Sequence, residues 1–167
     1  MTIWFILKVL HVFGAIVWMG GGTVMVLFIG PAVQATAPAG GAVMAHLVGK
    51  LKLPVLLNHS AWLTTICGAL LLYHVGDIHG HSYFKTMQGA GLAVGSLFGL
   101  LAFVAAVFVQ LPRSKRIAAM AAEAAGKPTP EQAAAMGAEQ RKFILGGRII
   151  VGLFALTLLG MLVSHPI

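Results

Sequence analysis

Long apolar runs, separated by short polar or glycine- and proline-containing segments, dominate the pattern of this chain. There are four such runs, at residues 3–30, 54–75, 89–111 and 143–163. A transmembrane helix needs roughly 20 consecutive apolar residues to cross the hydrocarbon core of a bilayer. The pattern therefore predicts an all-α fold, an integral membrane four-helix bundle in which residues 1–167 form a single membrane domain.

The first apolar run has a second interpretation, as a cleaved signal peptide. Ala35-Thr36-Ala37 has the small residues of a cleavage site. Two features oppose this interpretation: no basic residue precedes Lys8, and the apolar stretch is longer than the core of a signal peptide. We therefore expect a mature membrane helix, interrupted only by Lys8 and His11.

Basic residues are concentrated in two of the three connections between the runs. The first connection contains Lys50 and Lys52, whereas the second contains Asp77 and a lone Lys85. The third connection carries Arg113, Lys115, Arg116, Lys127, Arg141 and Lys142. Because Lys and Arg are enriched in cytoplasmic loops, we expect both termini and residues 76–88 outside, an N-out/C-out orientation. The expected location is the cell inner membrane, as a multi-pass protein.

The third connection is itself predicted to be helical. Residues 113–125 are rich in helix-forming Ala, Lys, Arg and Glu, so the third helix is expected to continue past Pro112 with a bend. After a stop at Gly126-Lys127-Pro128, the segment Thr129-Pro130-Glu131-Gln132 has the pattern of a helix start. The sequence thus predicts a cytoplasmic helical hairpin over residues 112–142, either a docking surface or a solvated spacer.

Composition supports a membrane protein and excludes other classes. Hydrophobic residues make up 59% of the chain and charged residues 9%, whereas soluble domains have about 25% charged residues. A single cysteine excludes a disulfide scaffold. The net charge of +7 is explained by basic cytoplasmic loops, so we expect the lipid bilayer as a partner and no nucleic acid.

Gly91, Gly95 and Gly99 recur at intervals of four along the third run. Small residues at this spacing form a smooth ridge that lets another backbone approach closely. Two interpretations stay open. Either the ridge packs within the chain, or it has a functional role, as the seam of a homodimer or larger membrane complex or as a groove for a flat cofactor.

Seven histidines in so apolar a chain are the best candidates for chemistry. Ionisable side chains inside a bilayer are costly and often mark a ligand, an ion path or a proton relay. His11 is spaced to share one helical face with Lys8, Gly14 and Trp18. An imidazole beside small residues and an aromatic ring suits an axial haem ligand. The alternative is a histidine hydrogen-bonded to a neighbouring helix.

His74 is the favoured partner of His11 because both are expected near the outer face. His59 lies deeper, toward the cytoplasmic end, and is either part of a second, inner site or a packing contact. His165 is also expected at outer depth. Arg148, about one turn inside the fourth run, can reach the cytoplasmic face, an anionic lipid or a haem propionate.

Asp77, His79 and His81 form a short polar cluster in the predicted outer loop. Imidazole suits both copper and zinc, so this cluster, with His11 and His74, provides a candidate metal site. A solvated loop is the alternative.

Two stretches resemble a known family. The first is Leu-Lys-Val-Leu-His-Val-Phe-Gly at residues 7–14, followed by Trp18-Met19-Gly20-Gly21. It resembles the opening helix of the copper resistance protein D superfamily, close to which the HemJ-type protoporphyrinogen oxidases belong. The second is Trp62-Leu63-Thr64-Thr65 to Gly68, with Tyr73-His74 after it. It is similar to the second helix of the same group.

The resemblance implies a four-helix membrane bundle that binds haem b in the HemJ branch and handles copper in the other branch. It also implies that His11 is the first-helix histidine, with Lys8 and Trp18 as its neighbours. Three functions stay open. The first is a haem-b-binding protein for electron transfer or redox chemistry near the outer face; as an enzyme it would be a haem-dependent oxidoreductase. The second is copper binding or transport, and the third is a cofactor-free accessory subunit of a larger membrane complex.

Overall fold

The computed structural model describes residues 3–36, 39–124 and 128–164, and within these ranges the chain is helical with no strand. Four helices are long and apolar enough to cross a membrane: Ile3–Ala35 (α1), Leu53–His79 (α3), Met87–Glu123 (α4) and Pro130–Val163 (α5). Ala39–Ala45 with the π-helical turn His46–Lys50 forms a short helix (α2), and a 3₁₀ turn, His81–Lys85, joins α3 to α4. The all-α class is confirmed, and the four helices fit a multi-pass membrane protein. His165 and Lys127 lie outside the described residues.

Two prolines lie inside helices. α1 continues through Pro31 to Ala35, although the sequence predicted its end at residue 30, and α4 continues through Pro112. A proline lacks the N–H group of a helical residue, and its ring clashes with the carbonyl four residues earlier. A π-helical segment precedes each proline, Met25–Ile29 in α1 and Ala105–Gln110 in α4. The wider π turn changes the hydrogen-bond register, so the helix continues.

The start of α5 has the cap that the sequence predicted. Thr129 Oγ1 accepts a hydrogen bond from the backbone N–H of Gln132 at 3.2 Å, and Gln132 Oε1 accepts one from the backbone N–H of Thr129 at 3.0 Å. This reciprocal pair satisfies two N–H groups that a helix start otherwise leaves unpaired. The predicted helix start is confirmed, and so is the continuation of α4 past Pro112 to Glu123.

The spanning helices pack as two pairs, α1 with α3 and α4 with α5. The pairs meet in an aromatic core that contains Trp18 of α1, Phe103 of α4 and Phe154 of α5. The ring of Trp18 contacts Phe154 and Phe103 edge-to-face, with centroids 5.0 and 6.3 Å apart. Trp62 of α3 also contacts Phe103 edge-to-face, with centroids 4.8 Å apart. Most other large apolar side chains on the spans face outward, as lipid-facing side chains do.

The glycine ridge of α4 is used within the chain. A Cβ atom on Gly160 of α5 would lie 2.5 Å from the Cα atom of Gly95, and one on Gly91 would lie 3.0 Å from the backbone oxygen of Gly160. Gly99 lies beside Thr157. Intrachain packing, one of the two interpretations of the spacing, is therefore what the structure shows. α5 covers the Gly91/Gly95/Gly99 ridge within the chain, and a homodimer or larger complex through this ridge stays a prediction.

Candidate functional site

His11 lies where α1 packs against α3. Its Nδ1 atom is 2.8 Å from the backbone oxygen of Thr64. Because a carbonyl oxygen only accepts hydrogen bonds, Nδ1 carries the proton and, in the neutral ring, Nε2 keeps its lone pair. Histidines that bind metals usually donate their other ring N–H to a carbonyl or carboxylate in this way. The hydrogen bond thus fixes the orientation of the imidazole and leaves the Nε2 lone pair available.

Two glycines let the imidazole and the two backbones come together. A Cβ atom on Gly68 would lie 2.7 Å from Cε1 and 2.9 Å from Nδ1 of His11, so the ring lies directly over this glycine. A Cβ atom on Gly14 would lie 2.5 Å from Oγ1 of Thr64. We call His11, Gly14, Thr64 and Gly68 the His11 site. The sequence singled out Thr64 and Gly68 only as part of the family resemblance, although two small residues four apart on a span were a usable signal.

The side chain of Thr64 has an unmet hydrogen-bonding capacity. The residue is buried, and among the described residues its Oγ1 has no hydrogen-bond partner. A helical threonine often donates to the carbonyl four residues earlier, as Thr157 does to Leu153 at 2.8 Å. The His11 site therefore combines an oriented imidazole with an unpaired hydroxyl group at a close contact between two spans.

His74, the expected partner of His11, contacts a different part of α1. Its ring stacks on Trp4 with centroids 3.5 Å apart and an interplanar angle of 8°. Trp4 precedes His11 by two helical turns, which is about 10 Å along the helix. The structure brings His11 to Thr64 and His74 to Trp4, and does not bring the two imidazoles to one point. Trp4 was not recognised as a candidate from the sequence.

The residues that the sequence placed on one helical face with His11 do not all belong to the His11 site. Gly14 faces α3 with His11, whereas Lys8 is exposed in a shallow groove whose lining residues all belong to α1. Trp18 is buried in the aromatic core, where it packs the two helix pairs together. α3 packs on the Gly14 side of α1, where the missing side chain lets the two backbones approach closely.

His59 and Arg148, which lie toward the end of the spans remote from His74, are both exposed. His59 accepts or donates no interhelical hydrogen bond among the described residues; its Nδ1 is 2.7 Å from the backbone oxygen of Val55, one turn earlier in α3. Arg148 is exposed on α5. His59 is thus neither in contact with the His11 site nor hydrogen-bonded to a neighbouring helix.

The polar cluster after α3 is more helical than the sequence indicated. Asp77 and His79 lie in the last turn of α3, which continues beyond the predicted end at residue 75, and His81 begins the 3₁₀ turn. Gly80, with φ of +71°, separates the two segments, a conformation that glycine adopts readily. The His79 ring stacks on Tyr83 at 5.0 Å. Across the residues that the structure describes, no three His, Cys, Asp or Glu side chains converge as metal ligands would.

Comparison of the chain with protein-family models, with curated proteins and with solved structures gives no match. The resemblance to the copper resistance protein D superfamily stays a prediction that rests on the sequence motifs.

Proposed function

We propose that this chain is a membrane protein that binds haem b through His11 and serves electron transfer or redox chemistry. The observation that carries the proposal is the hydrogen bond from Nδ1 of His11 to the backbone oxygen of Thr64 inside an apolar helix pair. This bond fixes the rotation of the ring and directs the free lone pair of Nε2 away from the carbonyl. An imidazole inside a span is costly to retain, and ligand binding is a common reason for it.

The residues of the His11 site fit one axial ligand of a haem. The imidazole is partly buried, its tautomer is set, and Gly68 supports the ring without a competing side chain. A haem bound there would supply a redox-active iron, whose potential depends on the axial ligand, its hydrogen bond and burial. The chain itself holds the imidazole through Thr64 and surrounds it with apolar helix faces.

The proposed arrangement uses His11 without His74. The imidazole of His74 is engaged in its stack on Trp4, about two turns from His11, so binding the same iron would require it to leave that stack. Arg148 is also remote, because it lies near the start of the apolar part of α5 while His11 lies beyond the aromatic core. A role of Arg148 with a propionate of this haem is therefore not part of the proposal.

The proposal includes the N-out/C-out orientation and an inner-membrane location, which follow from the basic connections. In that orientation the His11 site lies in the outer half of the bilayer, so electrons would be exchanged near the outer face. As an enzyme, the protein would be a haem-dependent oxidoreductase. A homodimer or larger membrane complex through the glycine ridge stays a prediction.

The test compares the wild-type chain with His11→Ala, His74→Ala and His59→Ala, each expressed in cells that supply haem and purified in detergent. Reduced-minus-oxidised visible spectra and haem content are measured, with circular dichroism as a check on folding. We expect haem bands in the wild-type protein, loss of nearly all haem in His11→Ala, and retention in the other two variants. His59→Ala is the matched control, since it removes an exposed imidazole from a span.

Each other outcome is informative. A His11→Ala protein that keeps its full haem complement would overturn the proposal. Loss of haem in His74→Ala as well as His11→Ala would show that both imidazoles hold the iron. A wild-type protein with no haem bands but with bound copper would support the copper alternative, and one with neither would support the cofactor-free accessory subunit.

A further inference from the structure

A hydrogen-bonded network joins α4 and α5 at the end of the bundle remote from His74. Nε2 of Gln110 donates to the backbone oxygen of Phe143 at 2.7 Å, which ties the π-helical segment of α4 to α5. Nη1 of Arg113 donates to Oε1 of Gln110 at 3.3 Å and to the backbone oxygen of Lys142 at 3.4 Å. The guanidinium group is therefore held at the boundary between the apolar stretches and the polar extensions of both helices.

The network carries an excess of positive charge. Glu139, which lies in the polar extension before the apolar part of α5, pairs with Lys142 at 3.1 Å and with Arg113 at 3.6 Å. The hydrogen bond from Lys142, together with the charges of Lys142, Arg116 and Arg113, lowers the pKa of the Glu139 carboxyl group. Two cations, Arg113 and Lys142, pair with the one carboxylate of Glu139, which leaves a net charge of +1 in the network.

A groove of about 340 Å³ lies beside the network, between α4 and α5. Arg113 and Lys142 line its polar end. Its other end is apolar, and the side chains of Val109, Leu145 and Ile149 there are 47%, 61% and 55% exposed. The groove thus changes from cationic to apolar along the direction in which the spans enter the membrane.

We propose that this groove binds an anionic phospholipid, with the phosphate group against Arg113 and Lys142 and an acyl chain along Val109, Leu145 and Ile149. A phospholipid carries its phosphate directly beside its acyl chains, so it matches a site that is cationic at the boundary and apolar below it. Basic pockets between spans are typical headgroup sites.

Both cations have hydrogen-bonding capacity for a phosphate. Arg113 uses Nη1 and Nε in the network, while no hydrogen bond among the described residues uses Nη2. A guanidinium group can therefore offer a further N–H to a phosphate oxygen without leaving its network. The Lys142 side chain is 61% exposed, so its ammonium group can pair with a ligand while staying near Glu139.

The test is native mass spectrometry of the full chain in detergent, with equal amounts of phosphatidylglycerol and phosphatidylcholine. We expect phosphatidylglycerol adducts to predominate on the wild-type protein, and Lys142→Gln to reduce that preference about fivefold. Lys115→Gln is the matched control, because it removes one positive charge from an exposed position of α4 that does not line the groove. It should keep the wild-type preference.

Two further variants separate the parts of the site. Arg113→Lys keeps the charge but loses the forked guanidinium, and it should weaken the preference without the loss of folding that Arg113→Gln risks. Leu145→Trp should reduce phosphatidylglycerol binding by filling the apolar end of the groove.

Several outcomes would overturn the proposal. They are equal adducts of the two lipids, an unchanged preference in Lys142→Gln, an equal loss in Lys115→Gln, and full competition by inorganic phosphate, which would indicate a free-anion site. A dimer mass that Leu145→Trp abolishes would instead assign the groove to a second copy of the chain. None of these results depends on whether His11 binds haem.

Discussion

At the scale of single residues, the His11 site shows how one ionisable side chain is kept inside an apolar helix pair. The acceptor for its N–H is a backbone carbonyl and not a carboxylate, so the imidazole is oriented without a second charge. The nearby Thr64 hydroxyl is buried without a partner. Such a group destabilises a fold by about 1–3 kcal/mol, which makes it a feature that a substitution can test.

Thr64→Val is expected to raise the free energy of unfolding by about 1 kcal/mol. Valine has nearly the same shape but lacks the unpaired hydroxyl group, and the backbone oxygen of residue 64 still accepts the hydrogen bond from His11. Thr157→Val is the control, because the Thr157 hydroxyl donates to Leu153 and its removal should give no gain. The measurement is unfolding of the detergent-purified variants followed by circular dichroism. Equal gains in both variants would mean that the unpaired hydroxyl is not the cause.

The sequence was enough to select His11 as a candidate functional residue, but not to predict which residues surround it. A histidine in an apolar run stands out, because charged and polar side chains are rare there. Thr64 and Gly68 do not stand out, since small residues are common in spans and only the rotation of α3 about its axis decides which of them meets α1. Lys8 lies outside the site because α3 packs on the Gly14 side of α1, although the spacing of Lys8 from His11 placed both on the same face.

At the scale of helices, close approach of backbones determines which elements pair. α1 meets α3 where Gly14 faces Thr64, and α4 meets α5 where Gly95 faces Gly160. The spacing of glycines in α4 predicted a close approach, but it could not name the partner. The partner is identified by its contact with Gly160 of α5, and the glycines of α5 do not recur at intervals of four as those of α4 do.

Gly160→Ala is expected to destabilise the protein by about 1–3 kcal/mol or more, as overpacking of a close contact does. The new methyl group would lie 2.5 Å from a backbone atom of Gly95, so no side-chain rotation can relieve the clash. Gly152→Ala, on the same helix, is the control because nothing lies within 4 Å of the new methyl group.

The control variant should be neutral or slightly stabilising, by up to about 1 kcal/mol, because alanine is the better helix former. Both variants are compared by the midpoint of thermal unfolding in detergent. If Gly160→Ala proved as stable as Gly152→Ala, the helices would have to separate at little cost, and the packing of α4 on α5 described above would be wrong.

At the scale of the whole molecule, two chemically different regions lie at opposite ends of one bundle. The His11 site lies on one side of the aromatic core, and the cationic groove between α4 and α5 lies on the other. The number of spans was predictable because each apolar run is long enough to cross a bilayer. Their pairing was not, because all four runs are similarly apolar and the aromatic core draws one residue or more from each of them.

The orientation of this arrangement in the membrane is predicted from charge alone. The connection between α4 and α5 is basic, whereas the turn between α3 and α4 carries few cations, so the positive-inside rule places the first inside and the second outside. In a Cys67→Ala background, Ser82→Cys adds a thiol to the exposed 3₁₀ turn and Ala134→Cys adds one to the exposed start of α5.

A membrane-impermeant maleimide applied to intact cells with a permeable outer envelope should label residue 82 and leave residue 134 unlabelled until the membrane is opened. Because both thiols lie at exposed positions, their accessibility within the protein is similar, and labelling after the membrane is opened checks that both react. The opposite labelling pattern would reverse the orientation. It would place the His11 site in the inner half of the bilayer and the cationic groove at the outer surface, and electron exchange near the outer face would then have to be abandoned even if His11 binds haem.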